Sequence, residues 1–217
     1  ATAGITTASG DITIESTAGN VTVGSATSTT GDVNLTAALS IETQANVSGA
    51  VAQLNAQGGD ITQTAGQING TTSLLLNATG DIGAGGAFVT VNTTALTIDA
   101  NGAGSIFVDN VNAAAVTATL VNTPGLTTFD LRSDEGLDLT GQNVTANTIT
   151  LFGDDNVSGT GALTLTGATL TQNDAASALT LQGASVTIDP TAANYTIAGD
   201  LNATATRTTG TGIVITG

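Results

Sequence analysis

The sequence contains no cysteine and no histidine. Without cysteine there is no disulfide framework and no thiol chemistry, although an extracellular β-protein can dispense with disulfides when its backbone ladders are long and its core is continuous. Without histidine, a Ser/His/Asp triad, a Cys/His dyad and a histidine-ligated zinc site are all excluded. Catalysis by any of these arrangements is therefore ruled out.

Basic and aromatic residues are scarce. Among 217 residues only Arg132 and Arg207 are basic, against 17 acidic residues, and the formal net charge is −15. Nucleic acid is excluded as a partner because phosphate binding needs clustered Lys and Arg, and an anionic membrane surface would repel the chain. No apolar run approaches the length of a membrane span, so we expect no membrane insertion. Aromatic residues make up 2% of the chain and apolar residues 40%, so the core has to be built from Val, Ile, Leu and Ala.

One short phrase recurs and predicts the local structure. It reads Gly-Asp-Ile-Thr-Ile at 10–14, Gly-Asn-Val-Thr-Val at 19–23 and Gly-Asp-Val-Asn-Leu at 31–35. Glycine accepts the positive φ that ends a straight segment, and Asp or Asn is expected to bond its own backbone and set the corner. The apolar, polar, apolar alternation that follows is typical of a strand with one buried face and one solvated face. Each phrase is thus a predicted turn followed by a predicted strand.

The spacing of these corners predicts a solenoid. Gly31, Gly59, Gly80 and Gly104 mark a repeat of roughly 20 to 28 residues, and each interval holds two or three short strands. We therefore expect an all-β fold, a right-handed parallel β-helix of roughly nine or ten coils and about 45 Å in length, with residues 1–217 as a single elongated domain. Stacked aliphatic rows inside and Thr ladders outside would explain the shortage of aromatics. A β-sandwich adhesin domain is the alternative that the same short strands leave open.

The alternation also predicts which side chains point inward. The predicted inward residues are Leu179, Leu181, Val186 and Ile188, and the predicted outward residues are Thr180 and Thr187. The run 113–115 is all alanine, but its neighbours are β-branched, so we predict strands with small residues at a tight corner and no helix. Pro124 and Gly125 are predicted to form a turn or a coil extension.

The Gly-Asp-Ile and Gly-Asn-Val corners, the Ile-Thr-Ile strands and the Thr-rich composition resemble the β-helical repeats of large secreted adhesins of the filamentous haemagglutinin type, which are exported by two-partner secretion. The resemblance covers nearly the whole chain. The Asn-Pro-containing motifs of that family's amino-terminal secretion domain are missing, so the resemblance implies the rod and not the export module. It implies an extracellular or bacterial cell-surface location and a structural and adhesive role in a surface adhesin, a fibre or a biofilm matrix.

A carbohydrate-active enzyme on the same scaffold is the runner-up function. A hydrolase needs only paired carboxylates, and Asp154 with Asp155 or Asp134 with Glu135 supplies such a pair. Adjacent strand residues point to opposite faces, however, and aromatic platforms for sugar rings are nearly absent, so these pairs are interpreted as solvated turns. The chain is expected not to be an enzyme, and no catalytic residue is assigned.

Calcium is the one ion whose binding the sequence leaves open. The segments 99–102 and 153–156 are rich in hard oxygen ligands, as calcium loops are, but ordinary Asp and Asn turn chemistry explains them as well. No cofactor or metal ligand is assigned, and a calcium-dependent β-sandwich adhesin module stays open as a further alternative. Asn-x-Ser/Thr triplets would allow glycosylation or arise simply from corner asparagines. Examples begin at Asn20, Asn34, Asn46, Asn77, Asn92, Asn143 and Asn156.

Both ends of the sequence lie within the repeating pattern. No signal peptide is recognisable at Ala1, so the sequence is interpreted as an excerpt or as a chain whose targeting segment has been removed. An open coil exposes unpaired backbone groups that another strand can join. We therefore expect both ends to be continued, by the same polypeptide or by an identical subunit stacked end to end. Contact with host cells, surfaces or polysaccharides remains open.

Overall fold

The computed structural model describes residues 4–102, 104–123, 125–188, 195–207 and 212–215. These residues contain no helix, and their parallel strands stack as a β-solenoid of about nine turns. The predicted parallel β-helix is therefore confirmed over the sandwich alternative. Its strands are β1 (Gly4–Thr7), β2 (Ile12–Ser16), β3 (Val21–Val23), β4 (Ser25–Ser28), β5 (Val33–Ala37), β6 (Ile41–Thr43), β7 (Val47–Ala56), β8 (Ile61–Gln63), β9 (Ile68–Ala78), β10 (Val89–Asn92), β11 (Ala95–Ala100), β12 (Ser105–Asn110), β13 (Val116–Val121), β14 (Leu126–Ser133), β15 (Gly136–Asp138), β16 (Asn143–Phe152), β17 (Ala162–Thr164), β18 (Thr169–Gln172), β19 (Ala178–Gly183), β20 (Ser185–Ile188), β21 (Tyr195–Ile197), β22 (Asp200–Ala205) and β23 (Ile213–Ile215).

Two long parallel ladders form the main walls. The first runs through β1, β4, β7, β9, β10, β12, β14, β16, β19 and β22. The second runs through β2, β5, β7, β9, β11, β13, β15, β17, β20 and β23. Strands β7 and β9 belong to both ladders because each bends from one wall into the other. Shorter ladders, β3 with β6 and β8 and later β16 with β18 and β21, form the third side.

The core consists of aliphatic rows that stack like on like. One row passes through Ile12, Val33, Ala52, Leu74, Leu96 and Ala118, and all six side chains are buried. Phe129 is the one phenylalanine that lies in the core. All four predicted inward residues of β19 and β20 are buried, while the two threonines between them are only half-buried. The predicted inward and outward faces are confirmed.

The predicted reason for the corner glycines is only partly right. Gly10 has the expected positive φ of 97°, but Gly19 and Gly31 are absent from the positive-φ glycines of the described residues. A Cβ on Gly31 would collide with the carbonyl oxygen of Gly10, and one on Gly104 would lie 2.7 Å from the carbonyl oxygen of Gly80. These glycines are needed because the backbones of successive coils touch at the corner.

The predicted partner of the corner carboxylates is wrong. Each side chain accepts a hydrogen bond from the backbone of the following coil and not from its own. Asp11 Oδ1 accepts from Asp32 N at 2.9 Å, Asp60 Oδ1 from Asp81 N at 2.8 Å, and Asp81 Oδ1 from Ser105 N at 2.6 Å. Asp11 and Asp32, which accepts from Val51 N at 3.0 Å, lie at the corner before β2 and β5, whereas Asp60 and Asp81 lie at the corner before β8 and Ile82. We call these four aspartates and their acceptor bonds the corner ladder. It supplies partners to backbone N–H groups where the strand ladder is interrupted.

The alanine run behaves as predicted. Ala113 and Ala114 form an exposed bend, and β13 begins at Val116. Gly125 has a φ of 46°, as a turn residue can have, whereas Pro124 lies outside the described residues.

Candidate functional site

The outer surface changes character between β10 and β16. Elsewhere it carries mainly Thr, Asn and Ser, but here three of the four phenylalanines lie outside the core and half-buried beside Arg132. Strand register aligns Asp109 with Arg132 and Arg132 with Phe152 on successive coils. We call this surface the Arg132 face. Its members are Phe88, Phe107, Asp109, Asp130, Arg132, Asp134, Phe152 and Asp155.

Arg132 is held rigidly on this face. Its guanidinium lies 4.6 Å from the ring centroid of Phe88 and 4.8 Å from that of Phe152. Its Nε and Nη2 donate to the two carboxylate oxygens of Asp130 at 2.8 and 2.9 Å. The Asp130 hydrogen bonds raise the pKa of Arg132 above its usual value, against the opposing effect of burial. Arg132 is therefore a cation held by two aromatic rings and a bidentate carboxylate.

Three carboxylates meet next to this cation. Asp109, Asp134 and Asp155 each offer an oxygen, and these atoms all lie within 4.8 Å of one another. Asp109 Oδ1 is buried and has no hydrogen-bond partner among the described residues. Arg132 Nη1 reaches only Asp155 Oδ1, at 3.4 Å. The cluster therefore holds more negative charge than its one neighbouring arginine compensates.

The electrostatics of the cluster follow from that imbalance. Burial, and then the charges of Asp155 and Asp134, raise the pKa of Asp109 to about 6. Burial and the neighbouring carboxylates Asp155 and Glu135 also raise the pKa of Asp134. One of the three groups thus takes up a proton more readily than an isolated aspartate does.

Asp154, beside the cluster in sequence, has a different environment. It is buried, which by itself opposes ionisation, but Thr206 and Ser158 donate hydroxyl hydrogen bonds to it and Gly159 N donates at 3.0 Å. These hydrogen bonds outweigh burial and lower the pKa of Asp154. Its carboxylate stabilises the loop between Gly153 and Gly161.

The structure separates the carboxylate pairs that the sequence suggested. One member of each pair, Asp155 and Asp134, enters the cluster. Of the other members, Asp154 is buried and accepts from Ser158, Gly159 and Thr206, and Glu135 accepts from Thr160 Oγ1 at 2.6 Å. Sequence reasoning missed Asp109, because its position beside them depends on the register between coils.

The two suggested calcium segments fare differently. In the first, Asp99 accepts from Asn122 Nδ2 at 3.2 Å and Asn101 donates to Asn77 Oδ1 at 3.1 Å. These are bonds between coils, as in a polar ladder, and do not surround an ion. From the second segment, Asp155 alone enters the carboxylate cluster. The three carboxylates of the cluster offer the hard oxygen ligands that Ca²⁺ takes, and they could equally share a proton.

Two of the glycosylation triplets have a structural explanation. Asn20 Oδ1 accepts from Ser40 N at 3.1 Å, and Asn46 Oδ1 accepts from Gln67 N at 3.0 Å. Both asparagines therefore act in the same way as the aspartates of the corner ladder.

The fold places the chain among the parallel β-solenoids. No profile of a known protein family, no curated protein and no solved structure matches it. Among the described residues there is no helix long and apolar enough to cross a membrane.

Proposed function

We propose that the chain is a section of a stiff extracellular rod with a structural and adhesive role, either within a large surface adhesin or as the subunit of a fibre. The observation that supports it is the continuous parallel pairing of the two main ladders, which carry aliphatic rows through about nine turns and cross one register shift, between Gly49 and Val51. Such a stack resists extension because its coils are joined by many parallel main-chain hydrogen bonds. Stacking subunits end to end would extend the same ladders and would propagate into a filament.

Light scattering on residues 1–217 across protein concentration and salt tests this proposal. We expect concentration-dependent assembly that survives high salt, since main-chain bonds and apolar rows would hold the units together. Ile5→Lys should weaken assembly, because Ile5 is 44% exposed on β1, and among the described strands β1 pairs with β4 alone. Val157→Lys is the matched control, because it also charges an exposed aliphatic residue but lies on the Gly153–Gly161 loop. A compact monomer at every concentration would contradict assembly by stacking.

A carbohydrate-active enzyme is the second candidate, and the carboxylate cluster is the observation that favours it. Asp109, with a pKa of about 6, has the property of a general acid, and Asp155 lies close enough to act as the second carboxylate of a pair. Reducing-sugar release from neutral and acidic polysaccharides tests this function. Asp109→Asn should abolish any activity, while Asp99→Asn, outside the cluster, should preserve it. Activity that Asp109→Asn leaves unchanged would remove this candidate.

A further inference from the structure

Strands β7 and β9 each bend where they pass from one wall to the next. A polar groove lies on the outer side of this bend, facing away from the core. Its volume is about 390 Å³. Its side-chain lining consists of Ser48, Asn69, Thr71, Asn92, Thr94 and Asn112. The bend depends on glycine, since a Cβ on Gly49 would lie 2.9 Å from both Val33 N and Val51 O, and one on Gly70 would collide with the carbonyl of Ser73.

The groove is lined in a regular way by successive coils. Parallel register places Ser48 beside Asn69, and Asn69 beside Asn92. Asn112 continues the row by donating its amide to Asn92 Oδ1 at 2.6 Å, while its own oxygen accepts from Ala114 N at 2.9 Å. The row therefore presents one polar side chain per coil, at the strand spacing of about 4.8 Å.

Much of the hydrogen-bonding capacity of the groove is unused. Of its lining side chains, those of Asn92 and Asn112 are hydrogen-bonded, whereas those of Ser48, Asn69, Thr71 and Thr94 make no hydrogen bond to any described residue. An asparagine amide offers two donors and one acceptor, and a hydroxyl offers both roles. No lining residue is charged, although the chain as a whole carries −15. The groove thus suits a neutral ligand that both donates and accepts repeatedly along a line.

We propose that this groove binds a neutral linear polysaccharide lying parallel to the solenoid axis. Sugar hydroxyls donate and accept as the amides do, and the net negative charge of the chain disfavours an acidic polysaccharide. Because no aromatic ring lines the groove, each sugar is held by hydrogen bonds alone. Affinity then comes from repetition along the row. This binding proposal depends on the groove and not on the proposed rod function, so an experiment can contradict one of the two proposals and leave the other intact.

Nuclear magnetic resonance titration of residues 1–217 with cellohexaose, and separately with a hexamer of galacturonic acid, tests the proposal. We expect cellohexaose to shift the amide signals of Ser48, Asn69 and Asn92, and the acidic hexamer to shift none of them. Asn69→Ala should weaken binding about fivefold, the loss of roughly one hydrogen bond, without changing the melting temperature.

Asn34→Ala is the matched control, because Asn34 is an outward amide of β5 that does not line the groove. It should bind cellohexaose as the unaltered chain does. The proposal is overturned if cellohexaose shifts no groove signal at millimolar concentration. It is also overturned if Asn69→Ala and Asn34→Ala bind equally well, or if the acidic hexamer binds the groove more tightly.

Discussion

The corner ladder and the Arg132 face lie over the same aliphatic core, yet their polar groups are satisfied in different ways. In the corner ladder, each carboxylate accepts from a backbone N–H of the next coil, so the same bond recurs from coil to coil. On the Arg132 face, side chains contact side chains, and Asp109 Oδ1 is left without a partner among the described residues. The comparison teaches that repetition satisfies polar groups, whereas a departure from it concentrates unbalanced charge.

The largest expected effect is the loss of stability when a charge is placed in the aliphatic core that lies beneath both regions. Leu54 and Leu131 are fully buried in the rows beneath the corner ladder and the Arg132 face, respectively. Leu54→Asp and Leu131→Asp each bury an unpaired carboxylate and should destabilise the fold by about 4 kcal/mol or more. Thermal and urea unfolding would measure this. Gln53→Asp, on the exposed side of β7, should cost far less. A small effect at Leu131 alone would show that the core is not continuous beneath the Arg132 face.

The second prediction tests why the corners contain glycine. Gly31→Ala introduces a Cβ against the carbonyl oxygen of Gly10 and should cost about 1 to 3 kcal/mol. Gly19→Ala is the matched control from the same repeated phrase, because its Cβ would lie 3.7 Å from Ser16 Oγ, an ordinary contact. It should be neutral or slightly stabilising. Equal losses in the melting temperatures of both variants would mean that backbone conformation, and not contact between coils, selects glycine.

The third prediction separates charge from hydrogen bonding in the corner ladder. Asp81→Ala removes the acceptor for Ser105 N and should cost about 1 kcal/mol. Asp81→Asn keeps an oxygen acceptor, as Asn20 and Asn46 do elsewhere, and should stay within about 0.5 kcal/mol of the unaltered chain. Equilibrium unfolding in urea measures both. If the asparagine variant loses as much as the alanine variant, the carboxylate charge is what the ladder requires.

The same contrast explains how far the sequence predicts the structure. Alternation alone identifies Val186 and Ile188 as inward, because a period of two fixes the face of a strand. The register between coils cannot be predicted in this way, since the step is 23 residues from Asp109 to Arg132 but 20 from Arg132 to Phe152. The carboxylate cluster depends on those unequal steps. Its one signal in the sequence is that the single arginine of the middle of the chain lies in the same segment, 88–152, as all four phenylalanines.

The smallest expected effect is the pH dependence that the Arg132 face adds to the fold. Asp109 has a pKa of about 6 in the folded chain, above the ordinary value of 3.8. The folded state therefore holds this proton more tightly than the unfolded state does. The resulting stabilisation is complete below about pH 4 and is lost as the pH rises through about 6. Asp109→Asn keeps a neutral side chain at every pH, so it should raise the melting temperature at pH 7.5 and change it little at pH 4.

A further experiment tests whether calcium neutralises the three carboxylates above pH 6, when Asp109 has lost its proton. Melting temperatures measured at pH 7.5 with calcium chloride or with a chelator give the answer, since a cation bound to the folded state alone raises stability. A calcium-dependent rise that Asp109→Asn abolishes would identify the three carboxylates as a cation site. Identical melting temperatures in both solutions would leave the proton as the neutralising group. If Asp109→Asn instead lowers the melting temperature at pH 7.5, the carboxylate is stabilising, and the imbalance of charge inferred for the Arg132 face is wrong.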